Sequence, residues 1–413
     1  MSRVIPLFFV VCGIFAVQFA GARQKSVASE HIGDKKIVRA MWVVRFSLSS
    51  PQAVHQIVEA AKTYHFNTLY VQVRGRGDAW YKSDMEPRAE ALKDMPVSFD
   101  PLAQIITEAH ANGIEVHAWV NTYLTWTGNR LPIDPKHIMN AHPDWIARDR
   151  SGNYSMAATN RVEGAFVQPS NPAVQNHLYK VYTDIARRYD IDGIHFDFVR
   201  YADSDYDFAD STLKRFQEYM KPYLTDVGRE AIHADGGKFA YVHTFPDKWA
   251  QWRRDQVTDL VRRISIAVHR IRPGIIVSAA VFANAEDAYK NKGQDWAGWL
   301  KDGYLDAVCP MAYSESTETV VKQIRGAIAS ANGHEVIAGL GAWRLSPEDT
   351  AKKIQKVLAL GANGINLFSY DDLTKGGKDM TYLDYLYKHC FQAENVDHPA
   401  TAEKTAQKPD IIE

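Results

Sequence analysis

Eight apolar runs of strand length recur along this chain of 413 residues, and most are separated by segments whose apolar residues repeat at helical spacing. The runs fall at 40–44, 68–73, 114–120, 193–199, 275–281, 307–312, 336–340 and 364–368. Strands that alternate with helices pair in parallel, because only a crossover returns the chain to the same end of a sheet. Val54, Ile57, Val58 and Ala61 trace one helical face, opened by Ser50-Pro51 as cap and first-turn proline. Leu102, Ile105, Ile106 and Ala109 trace another, opened by Pro101 and closed by Asn112-Gly113. Val257, Leu260, Val261 and Ile264 precede the fifth run; a segment around 383–391 supplies the closing helix. Eight such units, with strands apolar on both faces, predict an α/β fold of the (β/α)8 TIM-barrel type. A doubly wound open sheet is the alternative, but no Gly-rich phosphate turn follows the first run.

Two connections are too long for simple loops, one at about 121–171 and one at about 201–249. These insertions follow strands 3 and 4, so both belong to the active-site face and are expected to form lids or subsite walls. The first 22 residues read as an export signal: Arg3 supplies charge, 4–19 is apolar, and Ala20-Gly21-Ala22 offers small residues for cleavage after Ala22. Residues 23–37 form a linker, 38–392 the barrel, and 393–413 a polar, disordered tail. The mature chain is expected to be secreted or periplasmic, with no membrane span after signal cleavage. It keeps Cys309, read as a buried thiol, and Cys390. A formal net charge of -1, with Lys and Arg scattered, gives no reason to expect nucleic acid as a partner. No protein partner is inferred.

In such a barrel the chemistry belongs to residues ending the strands. The most informative stretch is Asp192-Gly-Ile-His-Phe-Asp-Phe-Val-Arg-Tyr201, which delivers Asp197 with His195 two residues earlier on the same side. Asp197 is the principal catalytic candidate, as nucleophile or charge stabiliser beside an oxocarbenium-like centre. Glycosidic cleavage calls for a second carboxyl group held neutral. Glu286, after the fifth strand, is the first choice, with Asp371 and Glu315 left open. Trp42, Arg74, Asn121, Tyr123, His195, Arg200, Tyr313, Trp343 and Asp371 are the candidate substrate-binding residues. Aromatic faces pack on sugar C–H bonds while amides and carboxylates grip hydroxyls. Trp42, Trp119 and Trp343 could equally be core. Arg76-Gly77-Asp78 is read as loop rather than as an adhesion motif. No cofactor or metal site is expected, since no His-Glu-X-X-His occurs and the first strand lacks a His-X-His pair.

These motifs together resemble the glycosyl hydrolase-like family 10, a group of exported bacterial (β/α)8 barrels. The pattern runs from Arg39-Ala-Met-Trp42 through Asn67-Thr-Leu-Tyr-Val-Gln-Val-Arg74 and Ala109-His-Ala-Asn-Gly-Ile-Glu-Val-His-Ala-Trp-Val-Asn121. It continues in His142-Pro-Asp-Trp145, in the 189–201 stretch and in Asp306-Ala-Val-Cys-Pro-Met-Ala-Tyr313. The resemblance implies an exported glycoside hydrolase acting on a bacterial polysaccharide, such as peptidoglycan glycan strands or an exopolysaccharide. The chain departs from the pattern at Phe198, where many relatives carry a second Asp, so a tandem-carboxylate mechanism is not carried over. A non-catalytic polysaccharide-binding barrel is the competing reading. A metal-dependent hydrolase built on His117, His195 and Asp197 is a third.

Overall fold

The computed structural model describes residues 37–392, so the export segment, nearly all of the linker and the tail fall outside the described residues. The strands are β1 (Val38–Val43), β2 (Thr68–Arg74), β3 (Glu115–Asn121) and β4 (Gly193–Asp197), then β5 (Ile276–Phe282), β6 (Ala307–Ala312), β7 (Glu335–Gly341) and β8 (Gly364–Phe368). They close into one parallel barrel in which each strand pairs with its neighbours in sequence and β8 returns to β1. The principal covering helices are α1 (Pro51–Thr63), α2 (Pro101–His110), α3 (Pro172–Arg188), α4 (Pro246–Ile271), α5 (Trp296–Lys301), α6 (Thr317–Ala331), α7 (Pro347–Ala359) and α8 (Thr381–Leu386).

Local chemistry sets these boundaries. Ser50 Oγ accepts from the Ala53 N–H at the start of α1, and Asp100 does the same for Ala103 at the start of α2. Val54, Ile57, Val58 and Ala61 of α1 are buried against the barrel, each of the larger aliphatics contributing roughly 1.5–3 kcal/mol. Strand β4 stops at Asp197, two residues short of the apolar run, because Phe198 takes a left-handed backbone with φ +47. At the other end of β4, a Cβ on Gly193 would lie 2.3 Å from the His117 ring on its register partner. Only glycine lets that imidazole lie inside the barrel.

The barrel interior is partly polar. Trp42, Tyr70, Trp119, Cys309 and Ile337 pack together there, apart from the larger core between strands and helices. His195 sits among them, fully buried, with Nδ1 2.8 Å from Ser278 Oγ. The Trp42 indole N–H points to its other nitrogen at 3.4 Å.

The β3–α3 connection folds back on itself, pairing Leu124–Trp126 antiparallel with Ala165–Phe166. The β4–α4 connection carries helices Asp210–Met220, Asp226–Asp235 and Ala240–Thr244. Phe208, Phe216, Trp249 and Trp252 give it a small core of its own.

Candidate active site

Asp197 ends β4 in register with Asn121 at the end of β3. The left-handed turn at Phe198 aims that residue's N–H back at Asp197 Oδ1, 2.6 Å away. The Trp119 indole donates to Oδ2 at 3.0 Å. Both oxygens are thus fixed, and the residue as a whole is 8% exposed. Burial is the largest influence on it and pushes its pKa up to about 6. The Phe198 N–H, the Arg200 guanidinium and the Trp119 N–H pull the other way without cancelling that cost, and the like charge of Glu163 adds to it.

Glu163 is the functional candidate that the sequence did not mark. It lies in the β3–α3 insertion, and its Oε1 accepts from Arg200 Nη2 at 2.7 Å. Its Oε2 is buried and has no hydrogen-bond partner. The next residue must be glycine, since a Cβ on Gly164 would lie 2.2 Å from the Trp126 carbonyl. A charged residue before a glycine, in a loop on the active-site side, was the only available signal, and it has no periodicity. Arg200 therefore holds one carboxylate by direct contact and another through its field.

An aromatic wall runs from this pair toward the far rim. The Trp119 ring meets Phe368 at 6.1 Å, Phe368 meets Trp343 at 5.4 Å, and Trp343 meets Tyr313 edge-on at 4.9 Å. Trp343 is 40% exposed, with the Arg344 guanidinium carbon 5.2 Å from its ring centre. A Cβ on Gly341 would lie 2.7 Å from its ring, so glycine there allows the indole to lie down on the rim.

Several expected site residues stand elsewhere. Glu286 is solvent-exposed and ion-paired with Lys290, which lowers its pKa, so it is unsuited to hold a proton for a leaving group. Arg74 is sealed beneath the rim in a bidentate pair with Glu86, and its Nη1 also bonds the Asn121 carbonyl. Burial alone would raise the Glu86 carboxyl, but Arg74 and His177 hold it down at about 2. Tyr123 is fully buried, within the electrostatic reach of Asp259 and Arg263 on α4. His195 and Trp42 are covered interior groups under the site, and His195 is held neutral by burial with the His117 field adding to the effect.

Asn121 is buried beside Asp197, donating to the Gly75 carbonyl at 2.7 Å. Asp371 accepts from the Val44 N–H and from Ser47, tying the end of β1. Tyr313 stays within the field of Asp197. Glu315 shows no side-chain partner in the site; its carbonyl accepts from Lys353. His117, His195 and Asp197 do not converge: among the described residues no three His, Cys, Asp or Glu side chains form a metal-binding group.

A buried carboxylate and an aromatic wall thus stand together at one end of a closed parallel (β/α)8 barrel. The glycosyl hydrolase-like 10 family model matches residues 37–338, and the chain belongs to that family. Among curated relatives, the glycosyl hydrolase YngK of Bacillus subtilis is 23% identical over 325 residues, covering 73% of this chain and 57% of that protein. Glycosyl hydrolase DigH of Escherichia coli is 25% identical over 290 residues, covering 63% of this chain and 58% of that one. The chain thus spans little more than half the length of the curated relatives it matches. In fold, it is similar to the PgaB (BpsB) glycoside hydrolase domain from Bordetella bronchiseptica, with TM-score 0.62 and 16% identity over 85% of this chain and 98% of that one. The catalytic domain of a Paenibacillus polymyxa beta-amylase gives TM-score 0.57 and 13% identity, over 86% and 97% of the two chains.

Proposed function

We propose that this protein is an exported hydrolase of O-glycosidic bonds in a bacterial polysaccharide, with Asp197 as general acid and Glu163 as its anionic partner. The observation that carries the reading is the contrast between the two carboxyl groups. Asp197 is buried with a pKa raised to about 6, while Glu163 is half-exposed and balanced by Arg200. Environments that separate two carboxyl groups in this way are how such enzymes divide acid from anion. This exchanges the role first expected of Asp197 and replaces Glu286 with Glu163.

In the reaction, the Asp197 proton passes to the glycosidic oxygen as that oxygen's bond to the anomeric carbon breaks. Glu163 stabilises the oxocarbenium-like centre that develops. Water then adds its oxygen to the anomeric carbon, and one of its protons returns to Asp197. Trp343 and Phe368 supply an apolar flank for a sugar ring.

Product analysis on peptide-free cell-wall glycan strands and on bacterial exopolysaccharides tests this. Glu163→Gln and Asp197→Asn are each expected to lower kcat by about 10²–10⁴-fold while glycan binding persists. Full turnover by Glu163→Gln would remove Glu163 from the mechanism. Binding without turnover by the wild type on every glycan would leave a carbohydrate-binding barrel instead.

A further inference from the structure

Arg45 stands just beyond β1 on the same rim, and the residues described so far leave its charge unused. Its Nη1 donates to Gln72 Oε1 at 2.7 Å, and Gln72 in turn donates to Asn121 Oδ1 at 3.4 Å. Asn121 is the register neighbour of Asp197. Two strand spacings separate β2 from β4, about 10 Å along the rim, so Arg45 flanks the cleavage point at the distance of a neighbouring sugar. Its Nε is buried without a hydrogen-bond partner.

Two carboxylates reach Arg45 electrostatically, and both are engaged elsewhere. Asp78 is paired with Arg76 at 3.5 Å, and Asp371 holds Val44 and Ser47. Burial lowers the pKa of the guanidinium to about 10, with the Arg76 charge adding to that and both carboxylates opposing it. A half-buried cation with no counter-ion in contact is a costly arrangement that a ligand would relieve.

The surroundings are built around this side chain. A Cβ on Gly75 would lie 2.2 Å from Arg45 Cδ, so glycine is what lets the arginine stem cross the end of β2. Phe46, 54% exposed, lies 4.3 Å from the guanidinium carbon, and its ring packs edge-on against Trp80 at 6.3 Å. The Trp80 indole N–H is itself buried and unpartnered. The neighbourhood therefore sets a guanidinium beside an exposed aromatic side chain.

We propose that Arg45 anchors a subsite for a carboxylate-bearing sugar beside the cleavage point, with Phe46 as its apolar flank. The proposal rests on the glycosidase reading of the barrel mouth. A planar carboxylate matches the guanidinium fork. The flanking Asp78 and Asp371 favour a singly charged group over a dianionic phosphate.

The test uses two carboxylated glycans, a uronate polymer and peptide-free cell-wall strands with their lactyl carboxylates, each beside its carboxyl-reduced form. Wild-type protein is expected to prefer at least one carboxylated glycan over its reduced form by about 10–100-fold in kcat/KM. Arg45→Gln should collapse that ratio toward one, and Arg45→Lys should retain part of it. Equal action on carboxylated and reduced forms, or an unchanged ratio in Arg45→Gln, overturns the subsite. Affinities measured with Asp197→Asn separate the two readings. A carboxylate preference in binding without wild-type turnover keeps the subsite and sinks the hydrolase. No binding preference for either carboxylated glycan sinks the subsite alone.

Discussion

Replacing Asp197 with Asn should make the protein more stable relative to wild type as the pH rises. A carboxyl whose folded pKa lies above its unfolded one costs nothing while both states are protonated. The cost grows as pH rises past the unfolded value and is complete above the folded one. With a pKa raised from 3.8 to about 6, ionised Asp197 costs about 3 kcal/mol at pH 7.5 and about 1 kcal/mol at pH 4.5. Asn removes that charge but brings a penalty of its own. Its NH₂ must face one of the two N–H donors, from Phe198 or Trp119, that now meet carboxylate oxygens. That clash, about 1–3 kcal/mol, does not depend on pH, so the reading lies in the difference between conditions. Urea denaturation of both proteins at the two pH values should show the variant gaining about 2 kcal/mol on the wild type between pH 4.5 and 7.5. A constant offset, or a shift of opposite sign, would refute the view that the site keeps this carboxylate in an unfavourable environment.

Three further outcomes follow from the same geometry. If protonated Asp197 is the acid, kcat/KM should fall about tenfold per pH unit above pH 6, where the acid form is lost. A fall below pH 6 instead would make Asp197 a base or nucleophile. Trp343→Ala should raise KM about 3–10-fold with a smaller effect on kcat, from the stacking energy of one exposed ring; unchanged kinetics would take Trp343 out of the groove. Glu86→Ala should cost about 3–5 kcal/mol in urea denaturation, because it strands the Arg74 guanidinium in the interior. A loss under about 1 kcal/mol would mean the pair behaves like a surface one.

The barrel was legible because its signals are local and repeated. β6 and β8 coincide with their apolar runs, and the Ser50 and Asp100 caps start helices that their prolines announced. Asp197 could be read because strand alternation fixes which side chains face the mouth. The strand end at Asp197 was missed by two residues because no propensity marks Phe198 for a positive φ. The same limit governed the partners. Glu286 follows a strand and looked suitable, but the short helix Ala285–Asp287 leaves it in solvent beside Lys290. Glu163 reaches the site only through the long-range fold of an insertion, held by Arg200 and by the clearance at Gly164. Arg74 and Tyr123 were misplaced because being near a strand end does not say whether a side chain meets solvent, a buried counter-ion or a helix.

Ring closure joins Val38 to Gly364, almost the full length of the folded body. During synthesis the earliest strand must wait for the latest one, and until then two open edges remain available to stray chains. Such remote pairing slows maturation far more than it affects final stability. A nascent chain cut just before Gly364 would be a barrel missing its last stave, with unpaired backbone along both sides of the gap.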